Sequence, residues 1–147
     1  MKKLIKNILI TIVAAIIVSG CNAGEEAAQM HCDITVTCSM ILDNSDKLKP
    51  EKTELVPEDG IILAKKEAAF NEGENVLDIV KRELKSEKIH FDIKENIYIE
   101  GINNIYAGDC GDMSGWIYTV NGESPQVGCS EYIPKDGDVI EWSYYCE

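Results

Sequence analysis

The sequence predicts an α+β domain in which one helix packs on one face of a mixed β-sheet. Three observations carry this. Apolar residues alternate at period two in Cys32–Cys38, fall at helical spacing between Val76 and Leu84, and alternate again in the last third of the chain. A sheet with one apolar face and a helix with one apolar stripe solve each other's burial problem. The chain has 147 residues, of which 45% are hydrophobic, which excludes wholesale disorder. That length gives one domain a real core and leaves a second one cramped.

The first segment reads as an export leader. Lys2, Lys3 and Lys6 make it basic, and Ile8 to Val18 is apolar but for Thr11. That run is too short to span a bilayer and fits the apolar region of a signal peptide. It ends Val18-Ser19-Gly20-Cys21, which resembles the bacterial lipobox. The expectation is a signal peptide over 1–20, with lipidation of Cys21 and a tether over 21–30. The acyl chains would anchor an exported domain, 31–147, on the outer face of the cell membrane. The alternative is a plain secretory signal with an incidental cysteine.

The domain opens with Cys32-Asp33-Ile34-Thr35-Val36-Thr37-Cys38, a half-buried strand with Cys32, Ile34, Val36 and Cys38 facing in. Residues 42–60 are charged, hold Pro50 and Pro57 and end on Asp59-Gly60, so they read as a long loop. Ile61–Ala64 and Glu67–Phe70 form the second strand. Asn75 caps the helix and Asp78 completes a variant capping box. Val76, Ile79, Val80 and Leu84 form its apolar stripe, and Lys81, Arg82 and Lys85 come late, as the helix dipole favours. Ile97-Tyr98-Ile99 is a short strand, with a bulge at Gly101. Trp116–Val120 runs into Asn121-Gly122, a hairpin signal, and Pro125 makes the returning arm an edge or irregular. Asp136-Gly137-Asp138 is a turn, and Val139–Cys146 is the last strand.

This order fits a β-grasp arrangement, in which the first and last strands are parallel neighbours. Their C-terminal ends then meet, which predicts a Cys38–Cys146 disulfide. Cys110 and Cys129 flank the Trp116 hairpin and pair second, leaving Cys32 over. There is no C-x-x-C, and Cys32 and Cys38 on an alternating strand make a poor zinc site.

Several segments together resemble the bacterial DUF4430 family. They are Glu100-Gly101-Ile102-Asn103-Asn104, Asp109-Cys110-Gly111, Ser114 through Gly122, Gly128-Cys129-Ser130 and Lys135 through Trp142. The upstream stretch from Cys38 to Gly60 also looks like members of it, so the resemblance covers roughly residues 31–147. That family is similar to the C-terminal domain of transcobalamin and intrinsic factor. The resemblance implies a β-grasp-like domain on an exported lipoprotein and a capacity to cover a corrinoid. In the carriers this domain closes over cobalamin held mostly by a large helical domain, and no such domain is read here.

The formal net charge of −12 argues against nucleic acid and anionic membrane surfaces as partners. Catalysis has little support: His31 and His90 are the only histidines, and no Gly-x-Ser-x-Gly, Walker or Rossmann pattern occurs. Strand alternation sends His31 and Cys32 to opposite faces. No enzyme is expected. The aromatic last third suits a flat ligand, with Trp116, Tyr118, Asn121, Gly122 and Tyr132 as candidate contacts. Core packing is the competing role of the tryptophans. The leading reading is a ligand-binding module, for a corrinoid delivered to a transporter. The alternatives are a structural or adhesive domain that binds protein or glycan, and a Ca²⁺-stabilised module. The last would use Asp43, Asn44, Asp46, Glu58 and Asp59, whose spacing does not fit a calcium loop, so that a solvated loop is the simpler reading.

Overall fold

The computed structural model describes residues 29–147. The leader, Cys21 and nearly all of the tether lie outside the described residues.

The main sheet has four strands: β1 (Met30–Thr37), β2 (Ile61–Phe70), β6 (Gly115–Val120) and β7 (Val139–Tyr145). Their order is β2-β1-β7-β6. β1 runs parallel to β7 and antiparallel to β2, and β6 is antiparallel to β7. The first and last strands are thus parallel neighbours at the centre, as expected. Ile34, Val36, Ile140, Trp142 and Tyr144 are all buried on the inner face. The helix, α1 (Val76–Ser86), buries Val76, Ile79, Val80 and Leu84. Asn75 Oδ1 accepts from Asp78 N at 2.9 Å, and its amide donates to the Asp78 carboxylate at 3.0 Å. Among the described residues no helix is long and apolar enough to cross a membrane.

β2 joins both expected stretches in one strand that also takes in Lys65 and Lys66, with its register shifted opposite Cys32–Ile34. Glu67 takes φ 51° there, and the Asp33 carboxylate holds it by accepting from Glu67 N at 3.0 Å and Lys66 Nζ at 2.6 Å. The 42–60 segment is not one long loop. One 3₁₀ helix, Ser39–Asn44, runs into its start, and a second, Pro50–Leu55, lies within it. Pro50 starts the second, where its missing N–H costs nothing.

A second sheet was only partly legible. It joins β3 (Phe91–Lys94), β4 (Tyr98–Ile102) and β5 (Ile105–Tyr106). Two tight turns connect these strands, with Glu95 and Asn96 at φ 54° and 60°, and Asn103 and Asn104 at 52° and 60°. Both have the left-handed pair that favours two-residue hairpins, as does Asn121-Gly122 at 53° and 80°. The bulge near Gly101 is present, with Asp92 opposite Gly101 and Ile93 opposite Ile99. Gly101 has a further reason to be glycine. A Cβ there would lie 2.4 Å from the Tyr106 ring.

One polar knot joins the two sheets. The buried Tyr144 hydroxyl donates to Tyr106 O at 2.6 Å. It accepts from Asp109 N at 3.2 Å and meets Ser114 Oγ at 2.8 Å. Ser114 Oγ accepts in turn from Cys110 N at 3.0 Å. The buried Asp109 carboxylate accepts from Tyr106 N at 2.8 Å and pairs with Lys49 at 3.0 Å and Lys52 at 3.4 Å. Burial alone would raise the Asp109 pKa. The Tyr106 N–H and the two ammonium groups outweigh it and hold the carboxyl below the usual range. The Asp109, Ser114 and Gly101 motif positions are therefore structural. Trp116 belongs to the same region, since its indole N–H donates to Ile105 O at 2.8 Å and its ring meets Tyr144 edge-on at 5.2 Å.

The two expected disulfides are not formed. Cys32, Cys38, Cys110, Cys129 and Cys146 are all free thiols, and all are buried. The β1–β7 register pairs Thr37 with Ser143, which sets Cys38 level with Tyr144 and two residues short of Cys146. Two residues along a strand and one strand across separate Cα atoms by roughly 8 Å, beyond disulfide reach. Cys110 and Cys129 sit in different surroundings, with Cys110 Sγ donating to Asn44 O and Cys129 Sγ to Ile97 O.

Two predictions follow from the knot. Tyr144→Phe leaves the Tyr106 carbonyl, Asp109 N–H and Ser114 hydroxyl short of a partner, so it lowers stability by about 1–3 kcal/mol. Urea unfolding should show a lower midpoint at unchanged m-value, and an unmoved midpoint would contradict the assignment. Asp109 predicts a pH dependence. Its pKa is lower folded than unfolded, so its contribution is complete above the unfolded carboxylate pKa and is lost as pH falls through the folded value. Asp109→Asn should therefore destabilise the protein at pH 7 and flatten the acid-side loss of stability. Parallel pH–stability curves for the two proteins would refute this.

Candidate functional site

The predicted contact residues separate into two groups. Trp116 is 3% exposed and fully hydrogen-bonded, so it is core. Asn121 is committed to the fold. Its amide donates to Asp138 Oδ1 at 2.8 Å and its Oδ1 accepts from Val139 N at 2.9 Å. Gly122 lies at the hairpin tip, where a Cβ would meet nothing within 4 Å. The turn closes by reciprocal bonds between Val120 and Glu123, and no paired strand follows, as Pro125 implied.

Tyr118 and Tyr132 come together. Tyr118 stacks on Trp142 with ring centroids 5.4 Å apart and planes at 28°, and meets Tyr132 edge-on at 6.5 Å. The three rings make a column that starts in the core at Trp142 and reaches the surface at the half-buried tyrosines. The Tyr118 hydroxyl donates to Val127 O at 2.7 Å. Burial pushes its pKa up to about 12, with Cys129, Tyr132 and Glu131 adding to the effect. It stays a neutral donor at physiological pH. The Trp142 indole N–H is a buried side-chain donor with no hydrogen-bond partner.

The loop that carries Tyr132 is anchored by the helix. Val76 N donates to Tyr132 O at 2.9 Å and Leu77 N to Cys129 O at 3.0 Å. These carbonyls satisfy two N–H groups that a helix start leaves open. The loop is thus held between α1 and β6. Val127 and Ile133 on the loop are exposed, and so is Ile97, whose carbonyl accepts from Cys129 Sγ. The result is an apolar and aromatic rim on a rigid base. Only Tyr118 and Tyr132 were foreseen. Val127, Ile133 and Ile97 are single apolar residues in turn-rich segments, and nothing in the pattern marks them.

Other clusters offer less chemistry. A surface groove of about 620 Å³ lies over the β1–β2 irregularity. Its polar groups already pair with one another, Asp33 with Lys66 and Glu67, and Asp136 with His31 N. On the second sheet, Asp92 accepts from the Tyr106 hydroxyl and lies 3.0 Å from His90 Nε2. The Tyr106 and His90 contacts lower the Asp92 pKa, and Asp92 raises that of Tyr106. Lys52 Nζ sits 4.9 Å over the Tyr106 ring, which clamps the second 3₁₀ helix to this sheet. His31 is exposed while Cys32 is buried, so the two do not form a Cys–His pair. Among the described residues no group of three or more His, Cys, Asp or Glu side chains is placed to hold a metal ion. Asn44 and Asp59 instead serve their own backbones, at Met40 O and Ile61 N.

Residues 73–145 match the family model DUF4430, a domain of unknown function. The chain carries a DUF4430 domain. The match begins after β2 and is narrower than the 31–147 expected, yet β1 and β2 complete the sheet on which the DUF4430 segment folds. No curated protein matches the sequence. The fold resembles the C-terminal region of haptocorrin, a transcobalamin-type protein, in its crystal structure in complex with cobinamide (Cbi). The TM-score is 0.56 at 13% identity, over 82% of this chain. At that identity the likeness is one of fold. The chain spans about a quarter of haptocorrin's length, 26%. A crystal structure of a Ruminococcus gnavus protein provisionally assigned to metal binding is also similar. Its TM-score is 0.45 at 18% identity, over 80% of this chain and 98% of that one.

Proposed function

We propose that the chain is an exported, lipid-anchored, non-enzymatic binding module. Its DUF4430 domain takes a flat, largely apolar ligand of the corrinoid class at the Tyr118–Tyr132 rim and passes it to a membrane transporter. The observation that carries this reading is the aromatic column from Trp142 through Tyr118 to Tyr132, which ends on an apolar surface held rigid by α1. Stacked rings with a fixed hydroxyl suit a conjugated macrocycle. The fold it shares with haptocorrin, crystallised with cobinamide, supports the ligand class. The Gly122 hairpin tip stands free for a second contact. The basic, apolar leader and the lipobox-like Val18-Ser19-Gly20-Cys21 support export and anchoring.

A second reading is a surface module for protein or glycan. Ile117 and Tyr145 favour it, since both are exposed on neighbouring strands of the outer sheet face.

The test is a titration of residues 29–147 with cobinamide and cobalamin, followed by visible absorbance and calorimetry. The proposal predicts saturable binding at micromolar ligand. Tyr118→Ala and Tyr132→Ala should each weaken it about tenfold or more, the loss of roughly 1.4 kcal/mol. Ile117→Ala should leave it unchanged. No binding up to millimolar ligand would reject the corrinoid reading and favour the second one.

A further inference from the structure

Cys110 and Cys146 meet where β7 ends. Glu147 N donates to Cys110 O at 3.4 Å, and Met113 N donates to the Glu147 carboxylate at 3.1 Å. A Cβ on Gly111 would lie 3.1 Å from Glu147 Cβ. The 110–113 segment and the last two residues therefore run side by side. Both cysteines are buried, and Cys110 is the neighbouring side chain that acts most strongly on the Cys146 thiol. Lys47 Nζ fixes the same end by donating to the Glu147 carbonyl.

We propose that Cys110 and Cys146 form a disulfide bond that ties the end of β7 to the connection preceding β6. The remaining described cysteines lie apart from this pair or out of register with it. Cys38 is level with Tyr144, Cys129 packs on Ile97 O, and Cys32 lies on β1 opposite Ala68 of β2. The oxidant is a low-molecular-weight or protein disulfide. The Cys110 thiolate attacks it and releases one thiolate, leaving a mixed disulfide on Cys110. The Cys146 thiolate then displaces the second thiolate from the Cys110 sulfur. Two cysteine protons pass to the two released thiolates, so one disulfide is reduced for each one formed. Burial, then the Cys110 contact, pushes the Cys146 thiol up to about 12. Exchange in the folded protein is therefore slow, and the pairing is made during folding.

In the cell the bond rests on the export reading for its oxidising compartment. The test supplies its own oxidant, so a failure of one does not imply a failure of the other. The full-length chain is unfolded, reduced and refolded with glutathione and glutathione disulfide. Free thiols are then alkylated and the non-reduced peptides mapped by mass spectrometry. The expected result is a link between the Cys110 and Cys146 peptides, with the other thiols alkylated. The oxidised protein should melt on the order of 10 °C above the reduced one. Cys110→Ser and Cys146→Ser should each abolish that difference, and Cys129→Ser should keep it. A predominant link between any other pair, or alkylation of both Cys110 and Cys146, would overturn the proposal.

Discussion

The structure depends on the buried hydroxyl of Tyr144. Burying a phenol is favourable for the ring and costly for the oxygen unless the oxygen is fully bonded. Here it is bonded to Tyr106 O, Asp109 N and Ser114 Oγ. Those three partners come from β5 and from the connection leading to β6, so one oxygen fixes the second sheet against the first. Asp109 extends the constraint outward, because its carboxylate grips Lys49 and Lys52 at either side of the start of the second 3₁₀ helix. A buried carboxylate is tolerable only with such partners, and losing them would strand a charge.

The same constraint sets up the candidate site. With Tyr144 fixed, Trp116 is held edge-on against it, and β6 must run in register with β7. Tyr118, two residues along, then lands over Trp142. Its ring has nowhere to go but into the column, and its hydroxyl closes on Val127 O. Helix α1 holds the far side of the loop through the carbonyls of Cys129 and Tyr132. The aromatic rim is thus built from two directions by groups that lie behind it. On the proposed function, such a rim would lose little conformational freedom on binding, which favours affinity.

Much of the frame was legible because its signals are local. Alternation placed β1 and β7, the 3.6-residue stripe placed α1, and Asn121-Gly122 placed its tight turn. The second sheet was harder. Its turns use Glu95-Asn96 and Asn103-Asn104, which adopt the same left-handed pair as Asn-Gly with a weaker composition cue. The two 3₁₀ helices are short and polar, and only Pro50 hints at one of them. The cysteine pairing failed for a different reason. Parallel ends were correctly expected to meet, but the register that separates Cys38 from Cys146 depends on the whole sheet and on no local pattern. At the site, alternation placed Tyr118 on a face with Trp116. It could not tell that one would be sealed in the core and the other would reach the surface.

The most direct test of the account is an amide-shift map of ¹⁵N-labelled residues 29–147 with and without cobinamide. The account predicts shifts concentrated at residues 118–133 and at Ile97, with the Trp142 indole N–H moving and the outer face around Ile117 and Tyr145 still. Shifts confined to the outer face, or none at saturating ligand, would contradict it.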